Sequence, residues 1–182
     1  MKWLVTLFVA VAISASLRAA DPLTVSIQCS KAPEPVGAFR LTIENSGSDV
    51  TAILLGMSLA NGRWQELRDL TLLVKWPQQE QPEEFQYRSR RFPADVAGRI
   101  DHWILTLPSG SAYSMTLSPL DFFSPVRSVS LATLPSPSEI SVRLVGKPVT
   151  YDLNIDMAGL RTMRLWTGTV NSKSVKVPDE CQ

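Results

Sequence analysis

The chain has 182 residues, with 18 Lys and Arg against 17 Asp and Glu, one His, two Cys and 13 Pro. Hydrophobic residues make up 45% and charged ones 19%, which excludes a chain disordered throughout. The balanced charge leaves no footprint for a nucleic-acid binder. One His and two Cys cannot complete a tetrahedral zinc site without carboxylates.

The first twenty residues read as an export signal. Lys2 makes the start positive, and Leu4 to Ile13 is an apolar run broken only by Thr6. Ser14, Ala15 and Ser16 follow, then Ala19 and Ala20, the small residues of a cleavage region. A cut after Ala20 puts Arg18 at the third position back. A cut after Ser16 has small residues at both key positions but leaves Leu17 to Ala20 on the mature chain. The expected mature start is near Asp21. The alternative is a membrane anchor, but the run falls short of the roughly 20 apolar residues a span needs. Cys29 comes too late after the small residues to carry a lipid. The expected organisation is a signal peptide over 1–20 and one β-domain over 21–182, exported to the periplasm or extracellular space without a stable membrane anchor. Removing Lys2 and Arg18 leaves 16 basic residues against 17 acidic ones, a mature net charge near −1 with His neutral.

In an exported chain two cysteines suggest a bridge. Cys29 ends the first expected strand and Cys181 lies one residue from the C-terminus. Their bond would close a loop of about 150 residues and contribute roughly 4–5 kcal/mol in the chain-entropy model. The alternative is two unpaired thiols, with Cys29 buried as a small apolar residue.

Period two runs along most of the chain. Leu23, Val25, Ile27 and Cys29 alternate with Thr24, Ser26 and Gln28, which predicts a half-buried strand. Phe39, Leu41 and Ile43 predict a second, closed by the turn residues Asn45 to Asp49. Val50 to Ala60 is apolar on both faces and suits a central strand. Asn61-Gly62 is the strongest hairpin signal. Leu70, Leu72, Val74 and Trp76 give another strand, followed by the exposed loop Pro77 to Glu84. Phe85 and Tyr87 predict an edge strand. Trp103, Leu105 and Leu107 lead through Pro108-Ser109-Gly110-Ser111 to an expected return strand at Tyr113, Met115 and Leu117. Ile140, Val142 and Leu144 form another, with a further short one at Val149 to Leu153. One short helix is expected near 156–164, capped by Asp156. A last strand runs from Leu165 to Val177.

These nine or ten short strands, with turns every 8 to 15 residues, predict an all-β, antiparallel sandwich. No intervening stretch is periodic enough for crossover helices. Phe39 to Gly47, FRLTIENSG, resembles the strand-and-turn signature of immunoglobulin-like domains in bacterial exported proteins. Leu165 to Ser172, LWTGTVNS, is similar to the closing strand of such domains, although Asn171 precedes Ser172 where they often carry Ser-Asn. The resemblance spans about 17 residues. It implies a single immunoglobulin-like sandwich and carries no activity, since sandwiches host many functions.

Chemistry is thinly supplied. A hydrolase triad would join His102 to a Ser and a carboxylate. Asp101 is its neighbour, but adjacent strand residues face opposite ways, and the chain has no Gly-x-Ser-x-Gly elbow. Glu80, Glu83 and Glu84 could serve glycoside chemistry but read as solvated loop charge. Asp152 and Asp156 lack the ligand density of a calcium loop. The sequence therefore nominates no catalytic residue, metal site or cofactor.

Partner contacts are better supplied. Trp76, Trp103 and Tyr113 run in phase with Leu and Val and are expected in the core. Trp64 and the Phe122-Phe123 pair are the expected exposed aromatics, able to stack on sugars or anchor a protein. Arg88, Arg90 and Arg91 could meet an acidic partner, or pair locally with the preceding glutamates. The expected function is a non-enzymatic exported binding or structural module with a protein or carbohydrate partner. An inhibitor or accessory partner of a secreted enzyme, presenting the loop Pro77 to Glu84, is the alternative. A hydrolase built on His102 is the second alternative.

Overall fold

The computed structural model describes residues 21–29, 38–59, 64–88, 100–148 and 165–177. They form β1 (Leu23–Cys29), β2 (Phe39–Asn45), β3 (Thr51–Leu59), β4 (Trp64–Leu67), β5 (Leu70–Lys75) and β6 (Glu83–Tyr87). Next come β7 (Ile100–Leu107), β8 (Ala112–Leu117), β9 (Phe122–Phe123), β10 (Glu139–Gly146), β11 (Gly168–Asn171) and β12 (Val175–Lys176). Two 3-10 turns cover Pro119–Asp121 and Leu131–Thr133. The protein is all-β, as its period-two pattern predicts. The signal over 1–20, the strand at 149–153, the helix near 156–164, Arg90, Arg91 and Cys181 lie outside the described residues.

The strands pair antiparallel in three sheets, ordered β1-β2-β8, β11-β10-β5-β6-β9 and β4-β3-β7, with β12 also on β10. Alternation sets what each buries. In β1, Leu23, Val25 and Ile27 point inward while Thr24, Ser26 and Gln28 stay exposed. Leu41, Ile43, Ile53, Leu72, Phe85 and Leu144, drawn from all three sheets, join one apolar cluster. Each such side chain is worth roughly 1.5–3 kcal/mol on burial, so apolar packing dominates the fold.

The expected return strand after Trp103 is a correction. β7 pairs with β3, whereas β8 pairs with β2 in another sheet. Residues 108–111 therefore cross between sheets instead of closing a hairpin. Residues 46–50 make the same crossing from β2 to β3, and Asn45 ties the two together. Its Nδ2 donates to the carbonyl oxygens of Asp49 at 2.7 Å and Leu107 at 2.9 Å. Its Oδ1 accepts the Gly47 N–H at 3.0 Å. Its own backbone bonds Ser111 and Gly110, and Ser109 Oγ donates to the Gly47 carbonyl at 2.6 Å. Asn45 is fully buried, at 0% exposure, so these contacts satisfy groups that would otherwise be stranded.

The closing segment is pinned by a tryptophan. Trp166 donates its backbone N–H to Ala52 at 2.7 Å, beside the parallel bridge of Leu165 and Ala52. Its ring lies over Gly146 and Gly168, which face each other across β10 and β11. A Cβ on Gly146 would come within 2.3 Å of Trp166 Cε3, so only glycine admits the ring.

Phe122 is a second correction. It is not exposed but fully buried, at 0%, and Phe123 is half-buried. β9 pairs with β6 so that Phe122 opposes Tyr87, and the two rings meet edge to face at 5.5 Å. The same pairing covers the far end of β6, the expected edge strand.

Candidate functional site

Because β7 and β8 separate, the sheets leave a cavity where they meet. Trp103 on β7, Tyr113 and Met115 on β8, Tyr87 on β6, Gln65 on β4 and Asp121 on the first 3-10 turn all line it. Its volume is about 170 Å³. Trp103, Tyr113, Met115 and Tyr87 are half-buried and pack against the core. The Tyr87 phenol is pushed up to about 12, first by burial and then by the Asp121 and Glu66 carboxylates. The cavity is therefore lined by three aromatic side chains with one carboxylate among them.

A second cleft, of about 300 Å³, is polar. Leu54 and Met57 enter it from β3, flanking a bulge between Leu54 and Gly56. Arg68 and Asp69 come from the link between β4 and β5, His102 from β7, and Lys147 from the end of β10. Asp69 is buried and ion-paired through Oδ1 to Lys147 Nζ. The described lining carries no Ser, Thr or Cys to act as a nucleophile.

The third region is the loop end. The loop after Trp76 is largely exposed and begins with Gln79 N–H donating to the Trp76 carbonyl at 3.0 Å. A space of about 250 Å³ lies between Trp76, Gln79, Arg127 and Pro135. Trp76 is occupied there, donating Nε1–H to the Pro135 carbonyl at 2.8 Å. Beside it, residues 124–130 form a braced loop. Ser128 and Arg127 donate their backbone N–H groups to Ser124, and Glu83 takes Ser124 Oγ at 2.6 Å and Arg127 at 2.8 Å. Val126 stands at its tip, 86% exposed.

Of the expected contact residues, Phe122 and Phe123 lie beside the end of β6 that leads into Arg88. Trp64 heads β4 opposite Leu59. Arg88 is exposed at the end of β6, with its backbone N–H on the Asp121 carbonyl at 2.7 Å. Two glutamates at the end of the acidic loop have described partners elsewhere in the fold. Glu83 pairs with Arg127, and Glu84 reaches over β5 to Arg143 on β10 at 2.7 Å. Cys29 ends β1 half-buried, and there is no free cysteine among the described residues. Sequence reasoning assigned Trp103 and Tyr113 to the core and missed that they face a common space. The available signal was their placement on either side of a single crossover.

No family model and no curated protein matches the chain. Among the described residues, no group of three or more His, Cys, Asp or Glu is placed to hold a metal. No helix there is long and apolar enough to cross a membrane.

Proposed function

We propose that this chain is an exported, immunoglobulin-like β-sandwich that acts as a binding module, with the ligand seated between Trp103, Tyr113 and Tyr87. The observation that carries the reading is the aromatic cavity at the meeting of three sheets. A concave site in which aromatic side chains converge with polar groups that can orient a ligand is a common form of binding pocket. The antiparallel sheets and the Asn45 and Trp166 anchors support the immunoglobulin-like assignment. Export rests on the pattern of residues 1–20. A Cys29–Cys181 bridge belongs to the same reading and is supported by the absence of a free cysteine among the described residues.

The test is a ligand panel of sugars, amines and short peptides, read by tryptophan fluorescence and thermal shift. A ligand that stabilises the wild type and loses that effect in Trp103→Leu supports the site. A panel without any response, or one unchanged by Trp103→Leu, counts against it. A mature mass beginning at Asp21 or Leu17 checks export. The same measurement checks the bridge, since two alkylatable thiols would remove it.

The braced loop with Val126 at its tip favours a second reading, an inhibitor-like module. Its test is Val126→Asp, which should abolish capture of a secreted enzyme while leaving the aromatic cavity's ligand response intact.

A further inference from the structure

The aromatic cavity opens beside a strand edge whose backbone is unpaired. β8 pairs with β2 and has no strand on its other side among the described residues. Successive residues of a strand turn their N–H and C=O groups to opposite neighbours. Asn45 donates its backbone N–H to the Ser111 carbonyl at 2.9 Å, towards β8, and Ser46 donates to the Pro22 carbonyl at 2.8 Å, towards β1. By that alternation Ile43, Leu41 and Phe39 bond β8, where they face Tyr113, Met115 and Leu117. The N–H and C=O groups of Ala112, Ser114 and Thr116 then point away from β2. Thr116 belongs to the cavity lining, so this edge borders the cavity.

Exposed edges recruit further strands, and proteins blunt them with short length, charge, proline or bulges. The outer strands β4, β9 and β11 are four, two and four residues long. β8 has six residues, AYSMTL, without a charge, a Pro or a Gly. β1, at the other end of its sheet, is also long, but Leu23, Val25 and Ile27 are buried along it. On β8, Tyr113 and Met115 are only half-buried. Residues directly opposite each other on paired strands project to the same face. A strand added to β8 would therefore set the residues opposite Tyr113 and Met115 over the cavity, towards Trp103 and Tyr87. The volume of about 170 Å³ compares with the roughly 150 Å³ cavity known to admit benzene, so one Phe-sized side chain fits.

We propose that β8 accepts an extended peptide strand from a partner polypeptide, paired antiparallel along Ala112, Ser114 and Thr116, with one large apolar side chain in the cavity. This rests on the binding-module reading and names its ligand class. Main-chain hydrogen bonds supply the affinity and the cavity selects the side chain. The pattern selected is alternation, with polar residues beside Ser114 and Thr116 and apolar ones facing inward. A sugar or a lone aromatic solute would leave the row of backbone groups unused.

The probe is a capped peptide of alternating Thr and Val with a central Phe and terminal Lys residues for solubility, titrated into the purified chain by calorimetry. In the paired strand the N–H groups of its Thr residues face β8, whereas those of Phe and Val face away. N-methylation of the two Thr residues beside Phe should weaken binding about tenfold or more, through two lost hydrogen bonds. N-methylation of Phe and the next Val should leave binding nearly unchanged. Phe replaced by Ala should weaken it about tenfold or more. Ser114→Pro removes the central donor of the edge while keeping the bonds to β2, as edge strands allow, and loses only the exposed hydroxyl contact with Thr42 besides. It should abolish binding, and the N-methylated peptides keep the test decisive if it fails to fold. Equal effects of the two methylation patterns, or peptide binding unchanged in folded Ser114→Pro, would overturn the strand assignment. A dimer of the chain that Ser114→Pro dissociates, without peptide binding, would give the edge to a second copy and overturn it as well. Peptide silence, with another ligand of the panel lost in Trp103→Leu, would overturn it and leave the binding module standing. Only silence across the whole panel would remove both.

Discussion

Asn45 Nδ2 donates to the Leu107 carbonyl oxygen at 2.9 Å, joining residues 62 apart in the chain. That bond holds two crossings together at one end of the molecule. Asn45→Ala would strand the Asp49 and Leu107 carbonyls and the Gly47 N–H. The expected loss is about 2–4 kcal/mol, read by urea denaturation. Asn45→Asp at neutral pH should fare no better, because a carboxylate would face two carbonyl oxygens. A loss below about 1 kcal/mol in both variants would show that the crossings stand without the tie.

Gly146→Ala should destabilise by about 1–3 kcal/mol through overpacking. Its Cβ would meet the Trp166 ring at 2.3 Å and the Trp166 carbonyl oxygen at 2.5 Å. Gly168→Ala, whose nearest ring atom is 2.9 Å away, should cost less. Thermal melts of the two variants compare them directly, and the reverse order would contradict the packing described.

Tyr87 makes stability fall at alkaline pH. Its hydroxyl is pushed from 10.0 to about 12 by burial, then by Asp121 and Glu66. Between those values the folded chain keeps a proton that the unfolded chain releases. The stabilisation is therefore complete below about pH 10 and is lost as the pH rises towards 12. The melting temperature of the wild type should drop more steeply across that window than that of Tyr87→Phe. Parallel slopes would place the phenol in ordinary solvent.

Glu83 holds the loop that presents Val126. Its side chain is 14% exposed and binds both Ser124 and Arg127. Glu83→Gln should cost about 1 kcal/mol and speed trypsin cleavage after Arg127 severalfold. An unchanged cleavage rate would mean that Ser124 and the backbone bonds suffice to hold the loop.

The all-β class and the inward faces were legible because alternation is local. Leu23, Val25 and Ile27 declare their side of the strand without reference to the rest of the chain. The partner of each strand is a different kind of information. Pro108 to Ser111 has the same turn chemistry whether it closes a hairpin or crosses between sheets. The deciding contact comes from Asn45, far away in sequence. Phe122 misled for a related reason, since a two-residue strand buries it only through its match with Tyr87. The cavity was illegible because Trp103 and Tyr113 have the same phase as core residues. Only the divergence of β7 and β8 leaves space between them.

The crossings also bear on how the chain reaches this state. Thr42 Oγ1 and Ser114 Oγ meet at 2.8 Å across 72 residues, and the pairing of β3 with β7 is likewise non-local. Long loops must close before their contacts repay the lost entropy. Folding should therefore run in the millisecond-to-second range of non-local β proteins, leaving the edges of β7 and β8 unpaired during that interval. The Asn45 tie forms only after both crossings exist. Its removal should speed unfolding much more than it slows folding.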